Sequence, residues 1–470
     1  MHKSKHRNKS KQNTSNIINN KKFEKEMMTS YSLATDGRAI GRDQNNVITF
    51  IKNMLPNETA KIEITSKKSN FKNATICKIE IASPFRVNPP CSYVSRCGGC
   101  QLQHVSNEMQ TIYKTQWFLE TLKRIGKWDN YNIELAEKKL EVVYLPKDSY
   151  RRRIRLHFDG KNLGFKASQT NLVTDINSCF ITSKRINNKI PTIKNNLITA
   201  LKIINEKNLS KNFECEIEAT ESDDDKVILN ITSLNIDHPA EKKQIEKILE
   251  KTLEIQNDQM ISMNHPQLTR FKLKKQSFIQ PHKDCIKSYY KHIKESVAEF
   301  LQKIAQSNNN PDTLLAWDLY AGAGVFSGIP YFLAKKYNLP IRCIGVEGVP
   351  EAIDSLINNY KTLPIEGIVS DVFEFIEQQF NLKLRADKTF HEPNIIIIDP
   401  PRSGCGIQTM QKIVEICSKK SQVLYLACDP ASFARDTWVL LKGGFKLQKL
   451  CLFDSFGQTV HYEVLGCFEK

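Results

Sequence analysis

The pattern of apolar and polar positions changes character along the chain. From about residue 28 to 86 it consists of short alternating segments, "YSLATDGRAIGR", "NVITFIKNML" and "AKIEIT", punctuated by Gly37 and Gly41. Period-two alternation broken by turns predicts a small β-barrel. Residues 87–270 mix a cysteine cluster, an amphipathic helix near Glu108–Ile125 and several strands. From about 271 helical stretches alternate with apolar runs: "TLLAWDLY", "IRCIGVE", "IEGIVS", "NIIIIDP" and "QVLYLAC". That alternation predicts a doubly wound parallel sheet. The closing segments "FKLQKLCLF" and "HYEVLGCFEK" have a short link, which predicts an antiparallel pair at the end of the sheet.

Four domains are therefore expected: a tail over 1–27, a barrel over 28–86, a mixed α+β central domain over 87–270, and an α/β Rossmann-like domain over 271–470. The tail is rich in Lys, Asn and Ser, without apolar period, and reads as disordered. Its eight Lys/Arg against two Glu supply +6 of the formal net charge of +17. The remaining excess still favours a polyanionic partner, RNA or DNA. No apolar run is long enough to span a bilayer and no secretory h-region stands at the N-terminus, so a cytoplasmic protein without a membrane partner is expected. It is expected to be a monomer. The thirteen cysteines then point away from disulfides and toward metal ligation, catalysis or inert burial.

The strand ends carry the candidate chemistry. "DLYAGAGVF" places Tyr320, Gly322, Gly324 and Val325 after the first strand of the last domain. Its glycines permit a tight turn and close approach to a ligand. Glu347 ends the second strand, where a ribose hydroxyl acceptor belongs, and Asp371 follows the third, where it can face an adenine amino group. A turn of this kind with a ribose carboxylate fits a dinucleotide or S-adenosylmethionine; the antiparallel closing pair leans toward the second. "IIIIDPPRSG" ends the fourth strand, and its prolines fix Asp399 and Arg402 toward the same crevice.

Cys428 ends the fifth strand, and the closing strand that starts near Glu463 should bring that carboxylate beside it. Such a pair suggests one reaction. Carbon 5 of uracil is too weak a nucleophile to accept a methyl group unaided. A thiolate adding to carbon 6 makes carbon 5 an enolate carbon; after methyl transfer a carboxylate removes the carbon-5 proton and the thiol leaves. On the pattern alone, an inert strand-end thiol is an equally good reading of Cys428.

Six motifs in order, "FIQ", "DLYAGAGVF", "VEGVP", "DPPRSG", "YLACDPASFARD" and "HYE", resemble the RNA 5-methyluridine methyltransferase family, and the resemblance runs from about residue 28. It implies a class I methyltransferase domain, seven-stranded with the last strand antiparallel. It implies Cys428 as nucleophile, Glu463 as proton acceptor, and Gln280, Tyr320, Glu347, Asp371 and Asp399 in contact with S-adenosylmethionine, beside Gly322 and Val325 of the turn. The family often has Cys at the position of Ala321, Asn at Asp429, Asn at His282, and Thr or Asn at Val325. Asp429 sets an anion beside the thiol, which raises its pKa unless Arg402 or Arg435 compensates.

"CSYVSRCGGCQLQH" supplies Cys91, Cys97 and Cys100, three thiolates in need of a fourth. Zinc and an iron–sulfur cluster both accept four thiolates. The family's larger members resemble this segment and carry a [4Fe-4S] cluster, which implies Cys179 as fourth ligand. Residues 28–86 resemble a TRAM domain, an OB-like RNA-binding barrel. In "YRRRIRLHF" Arg151, Arg153 and Arg155 share one strand face, a candidate phosphate-contacting surface together with Arg402. Barrel and cysteine cluster together resemble the 23S ribosomal RNA branch. Transfer RNA is the alternative substrate, and a non-catalytic RNA-binding assembly factor on the same fold is a further alternative.

Overall fold

A computed structural model describes residues 24–209, 213–256, 258–307 and 313–470. Most of the expected tail, residues 1–23, lies outside the described residues. The chain forms two compact units. One holds residues through Ala34 and Arg38–Pro84; the other holds Thr35–Gly37 and Phe85–Lys470.

The first unit is a closed five-stranded barrel: β1 (Lys25–Leu33), β2 (Ala39–Arg42), β3 (Ile48–Lys52), β4 (Thr59–Lys67) and β5 (Phe71–Ile81), in the spatial order β1-β2-β3-β5-β4. β1 begins inside the segment whose composition assigns it to the tail. It does so because Met28, Ser30 and Leu33 turn inward while their neighbours face solvent. Ile51, Ala60, Ile62 and Ala74 fill the interior with the alternation expected of a barrel wall.

The second unit begins with α1 (Asn107–Arg124), α2 (Asn130–Lys139) and β6 (Leu140–Tyr144). Strands β7 (Arg153–Phe158), β8 (Leu163–Lys166) and β9 (Val173–Asp175), helix α3 (Lys184–Glu206), strands β10 (Phe213–Glu221) and β11 (Val227–Ile236) and helix α4 (Lys242–Thr252) follow. They build a sheet ordered β11-β10-β7-β8-β9 with its own core, in which Ile190, Leu197 and Ile204 of α3 pack with Leu156, Phe158 and Ile217. A hairpin, β12 (Met260–Met263) and β13 (Phe271–Lys274), leads to α5 (Cys285–Ala305).

The remainder alternates strand and helix: β14 (Leu314–Leu319), α6 (Ile329–Lys336), β15 (Ile341–Glu347), α7 (Pro350–Asn359), β16 (Ile365–Val369), α8 (Val372–Leu384), β17 (Ile395–Ile398), α9 (Ile407–Ile416), β18 (Gln422–Ala427), α10 (Pro430–Lys442), β19 (Lys446–Asp454) and β20 (Glu463–Glu469). The sheet order is β16-β15-β14-β17-β18-β20-β19-β6. β14 through β18 are parallel, and β20 is antiparallel to both of its neighbours. Strands buried on both faces read as continuous apolar runs, which is why "IIII" and "QVLYLA" are wholly buried.

The sheet has eight strands rather than the expected seven. β6 adds in parallel to the edge strand β19, from a segment the sequence assigns to the central region. Its five residues are too few, and its partner too distant along the chain, for local pattern to assign it. Among the described residues no helix is long and apolar enough to cross a membrane.

Candidate active site

Strand order reverses at β14, whose neighbours are β15 on one side and β17 on the other. In open α/β sheets the crevice at such a point, beyond the carboxyl ends of the strands, is where ligands bind. A cavity of about 640 Å³ lies there, lined among others by Gln280, Tyr320, Gly322, Val325, Glu347, Asp399, Arg402, Cys428 and Glu463. Of the residues expected around the cofactor, Asp371 is not in that lining. It is exposed and caps α8, its Oδ1 accepting from the amides of Phe373 (2.8 Å) and Glu374 (3.3 Å).

The turn after β14 is strained where it meets the cavity. Tyr320 has φ +61°, a left-handed conformation that a bulky side chain adopts at a cost of about 1–3 kcal/mol. Gly322 (φ +54°) has nothing within 4 Å of where a Cβ would stand, so its backbone is open to a ligand. Gly324 (φ +89°) is required for another reason: a Cβ would come within 2.8 Å of Leu356 Cγ and 2.9 Å of the Tyr360 ring. Glu347 fixes the turn from the next strand. Its Oε2 accepts from the Gly322 amide at 3.2 Å and its Oε1 from the Val349 amide at 3.0 Å. One further lone pair on each oxygen remains for hydroxyl donors.

Cys428 and Glu463 are brought together by strand register. Ala427 of β18 pairs with Val464 of β20, so the next residues outward, Cys428 and Glu463, stand opposite each other on the cavity wall. Burial, then the Glu463 and Asp399 carboxyls, push the Cys428 thiol up to about 12, while Arg402 pulls it down. Glu463 is 2 % exposed and its Oε2 has no hydrogen-bond partner. Burial, then Asp399, raise its carboxyl well above the ordinary carboxylate range, against Arg402. Asp399 rises to about 7 from burial and from nearby Asp318. Acid groups this close in one buried crevice resist ionising together. Arg402 is the cation among them.

Asp429 is less disruptive than its charge suggests. Its Oδ1 accepts from the Ser432 amide at 2.8 Å and caps α10, a role Asn fills equally well. Arg435 is committed elsewhere, with Nε 2.8 Å from Asp436 Oδ1 and Nη2 donating to the Ser403 carbonyl. His282 stands outside the cavity lining; it is fully buried, stacked on Tyr150, with Nε2 3.1 Å from the Pro146 carbonyl.

A second cavity, of about 230 Å³, is lined by Cys91, Cys97, Cys100 and Cys179 with Arg151 and Arg155. The Gly99 amide donates to Cys97 Sγ at 3.4 Å. Gly98 lies so close to the 166–168 backbone that a Cβ would meet Lys166 O at 3.0 Å and Ser168 Cα at 3.1 Å, which accounts for the first glycine of the pair. Arg153 does not line this cavity; its guanidinium bonds Glu218 and, at 2.7 Å, the Ser277 carbonyl.

Comparison with known proteins identifies the family. The family profile for tRNA (uracil-5-)-methyltransferase matches residues 122–469. The chain belongs to that family. As a member it is an RNA uracil-5-methyltransferase. Relatives align over nearly the whole chain. An uncharacterized RNA methyltransferase of Aquifex aeolicus is 27% identical over 90% of this chain and 94% of its own length. The 23S rRNA (uracil(1939)-C(5))-methyltransferase RlmD of Shewanella woodyi is 28% identical over 90% and 91%. The solved Pyrococcus abyssi tRNA (uracil-54, C5)-methyltransferase, in complex with S-adenosyl-L-homocysteine, shares the fold. Its TM-score is 0.62 at 18% identity, covering 94% of this chain and all of that one.

Family motifs do not point to every residue that builds the site. Asp436, fully buried on α10, holds the turn that follows Asp399 and Arg402. Its Oδ2 accepts from the Cys405 amide (2.8 Å), the Gly406 amide (3.2 Å) and Tyr425 Oη (2.6 Å). It sits inside "FARD", but only the fold shows that it faces inward. Phe278 lines the cavity yet is 71% exposed, an aromatic at the mouth whose neighbour "FIQ" motif marks Gln280 alone.

Proposed function

We propose that this chain methylates carbon 5 of one uridine in 23S ribosomal RNA, using S-adenosylmethionine, with Cys428 as nucleophile and Glu463 as proton acceptor. The observation that carries this is the register of β18 and β20, which sets the two side chains against each other in the cavity of the glycine turn. The bound cofactor supplies an electrophilic methyl group on a sulfonium. Gly322, with open space above it, and Glu347, with lone pairs for ribose hydroxyls, suit that ligand; Gln280, Tyr320, Val325 and Asp399 complete its contacts. Asp371 joins them from the rim only if its second carboxylate oxygen turns inward.

In this reading Cys428, as thiolate, adds to carbon 6 of the uracil and the electron pair moves through carbon 5 to the O4 enolate. Arg402 favours the thiolate by its charge. Once carbon 5 carries the methyl group, Glu463 as carboxylate takes the carbon-5 proton. The electron pair of that C–H bond reforms the 5,6 double bond and expels the Cys428 thiolate. The uridine must be turned out of its stack to reach this depth, at a cost of a few kcal/mol.

The first unit is a TRAM-like barrel in this reading, a closed five-stranded barrel of the kind that holds single-stranded RNA. Cys91, Cys97, Cys100 and Cys179 hold a [4Fe-4S] cluster. The four cysteines line one cavity, the set of donors is soft and all-thiol, and one sulfur receives an amide hydrogen bond, which suits such a cluster. Arg151, beside the cluster, is the residue of the three placed to meet phosphates; Arg153 pairs with Glu218, and Arg155 lies 3.8 Å from Glu216 and 3.9 Å from Glu218. The enzyme acts as a cytoplasmic monomer.

Mass mapping of ribosomal and transfer RNA from a strain lacking the gene tests the substrate. Loss of one 5-methyluridine from 23S RNA is the expected result. Loss from transfer RNA alone transfers the reading to that substrate.

A further inference from the structure

Three consecutive carbonyls of the glycine turn are taken by side chains that approach from behind it. Asn359 Nδ2 donates to Ala323 O at 3.2 Å, Tyr360 Oη donates to Gly324 O at 2.7 Å, and His265 Nε2 lies 3.0 Å from Val325 O. The state of His265 follows from its other nitrogen. The amides of Gln267 and Leu268 both point at Nδ1, each at 3.2 Å. Nδ1 therefore carries a lone pair, the proton is on Nε2, and the neutral ring donates to the Val325 carbonyl.

The ring has little freedom to do otherwise. It is buried, stacked on Phe271 at 4.9 Å and 10°, and meets the edges of Tyr290 and Tyr360. The β12–β13 hairpin that carries it is tied to the end of α7, where Asn359 exchanges hydrogen bonds with the backbone of Lys272 (2.9 and 3.1 Å). On the cavity side, Val325 offers no polar side-chain atom.

We propose that His265 is a positioning residue for the methyl donor: with Asn359 and Tyr360 it grips the 323–325 backbone from behind and so holds the turn in its ligand-ready shape. This rests on the S-adenosylmethionine reading above. A polar side chain at 325 is unnecessary when the carbonyl of the same residue is anchored. The clamp is also sensitive to acid. A proton on Nδ1 confronts two N–H donors and breaks the arrangement. The titratable groups facing the ring are the Tyr290 and Tyr360 phenols, both raised by burial. Burial holds the imidazole below its ordinary value, the Val325 carbonyl working the other way. The clamp is thus complete at neutral pH and lost as pH falls through that lowered value.

The test is calorimetric binding of S-adenosylhomocysteine to the full chain without RNA, for wild type, His265→Phe and His265→Gln. The wild type is expected to bind. His265→Phe, which keeps the ring and removes both nitrogens, should weaken binding about tenfold, the equivalent of one buried hydrogen bond. Its kcat at saturating donor should change by less than about threefold. His265→Gln, which can still donate to Val325 O, should recover part of the loss. Wild-type affinity should fall at a pH below the ordinary imidazole value of about 6.5, and that fall should be absent in His265→Phe. A His265→Phe affinity within about twofold of wild type, with the same pH profile, overturns the proposal. If His265→Phe does not fold, a wild-type affinity that stays unchanged as pH falls, down to the pH at which the fold itself is lost, overturns it equally. A wild type that binds no S-adenosylhomocysteine removes the underlying reading, and the clamp's purpose with it.

Discussion

Cys428 faces Glu463 across the mouth of an antiparallel strand pair, one residue beyond the Ala427–Val464 pairing. The thiol is the first residue after β18 ends at Ala427, and the carboxyl is the first residue of β20. Antiparallel strands place residues directly opposite each other on the same face about 4.5–5.5 Å apart at Cβ. In the proposed reaction a uracil ring lying over both side chains would present carbon 6 to sulfur and carbon 5 to the carboxylate.

The thiol should be unreactive in the resting protein. At a pKa pushed up to about 12, the thiolate fraction at pH 8 is about one in ten thousand. Alkylation of Cys428 by iodoacetamide, followed by peptide mass, should be slow at neutral pH and rise about tenfold per pH unit to at least about pH 10. Arg402→Gln should slow it further, because the nearby cation is gone. A rate that levels off near pH 8 contradicts the stated environment.

Glu463→Gln should separate the two halves of the reaction. The amide cannot accept the carbon-5 proton, so turnover should fall by about 10²- to 10⁴-fold. Denaturing gels should meanwhile show a covalent RNA adduct that the wild type does not accumulate. Full turnover in this variant assigns the base to another group.

A buried ion cluster supports the loop that leads into β20. Asp454 and Lys114 are both fully buried, 2.6 Å apart, and Lys147 adds a second contact at 2.6 Å. Lys114 also donates to the Phe456 carbonyl at 3.0 Å. Burial raises the Asp454 carboxyl, but the two ammonium groups outweigh it and hold the group below its ordinary value. The sign follows: this stability is present above the unfolded carboxyl value of about 3.9 and is lost as pH falls through the lower folded value. Asp454→Ala, which strands Lys114, should cost about 3–5 kcal/mol in chemical denaturation. A cost under about 1 kcal/mol contradicts the assignment of a buried pair.

The cysteine quartet should hold iron rather than zinc. Anaerobically purified protein should contain about four iron atoms per chain and absorb in the visible, and Cys97→Ala should lose both. Zinc at one equivalent with no visible absorption overturns the cluster.

The catalytic half of the fold was legible because parallel strands buried on both faces leave unbroken apolar runs, and "IIII" and "QVLYLA" are such runs. The residues at their carboxyl ends could be read as one site because any parallel sheet gathers them at one edge. β6 was not legible: it pairs with β19 across about three hundred residues, and five residues carry no pattern that specifies such a partner. Asp371 illustrates a second limit. Sequence places it after the third strand, but only coordinates show that its carboxylate caps a helix. Asp436 and His265 escaped for the converse reason: polar residues among polar neighbours, Asp436 between Arg435 and Thr437 and His265 after Asn264, look like solvent-facing positions until the fold turns them inward.

The most direct test is covalent capture. RNA in which the target uridine carries fluorine at carbon 5 cannot lose that substituent as a proton, so the reaction stops after methyl transfer. Incubated with enzyme and S-adenosylmethionine, it should yield a denaturation-stable adduct whose digested peptide carries the methylated nucleotide on Cys428, and none with Cys428→Ala. An adduct on another residue, or carbon-5 methylation of ordinary RNA by Cys428→Ala, contradicts the mechanism.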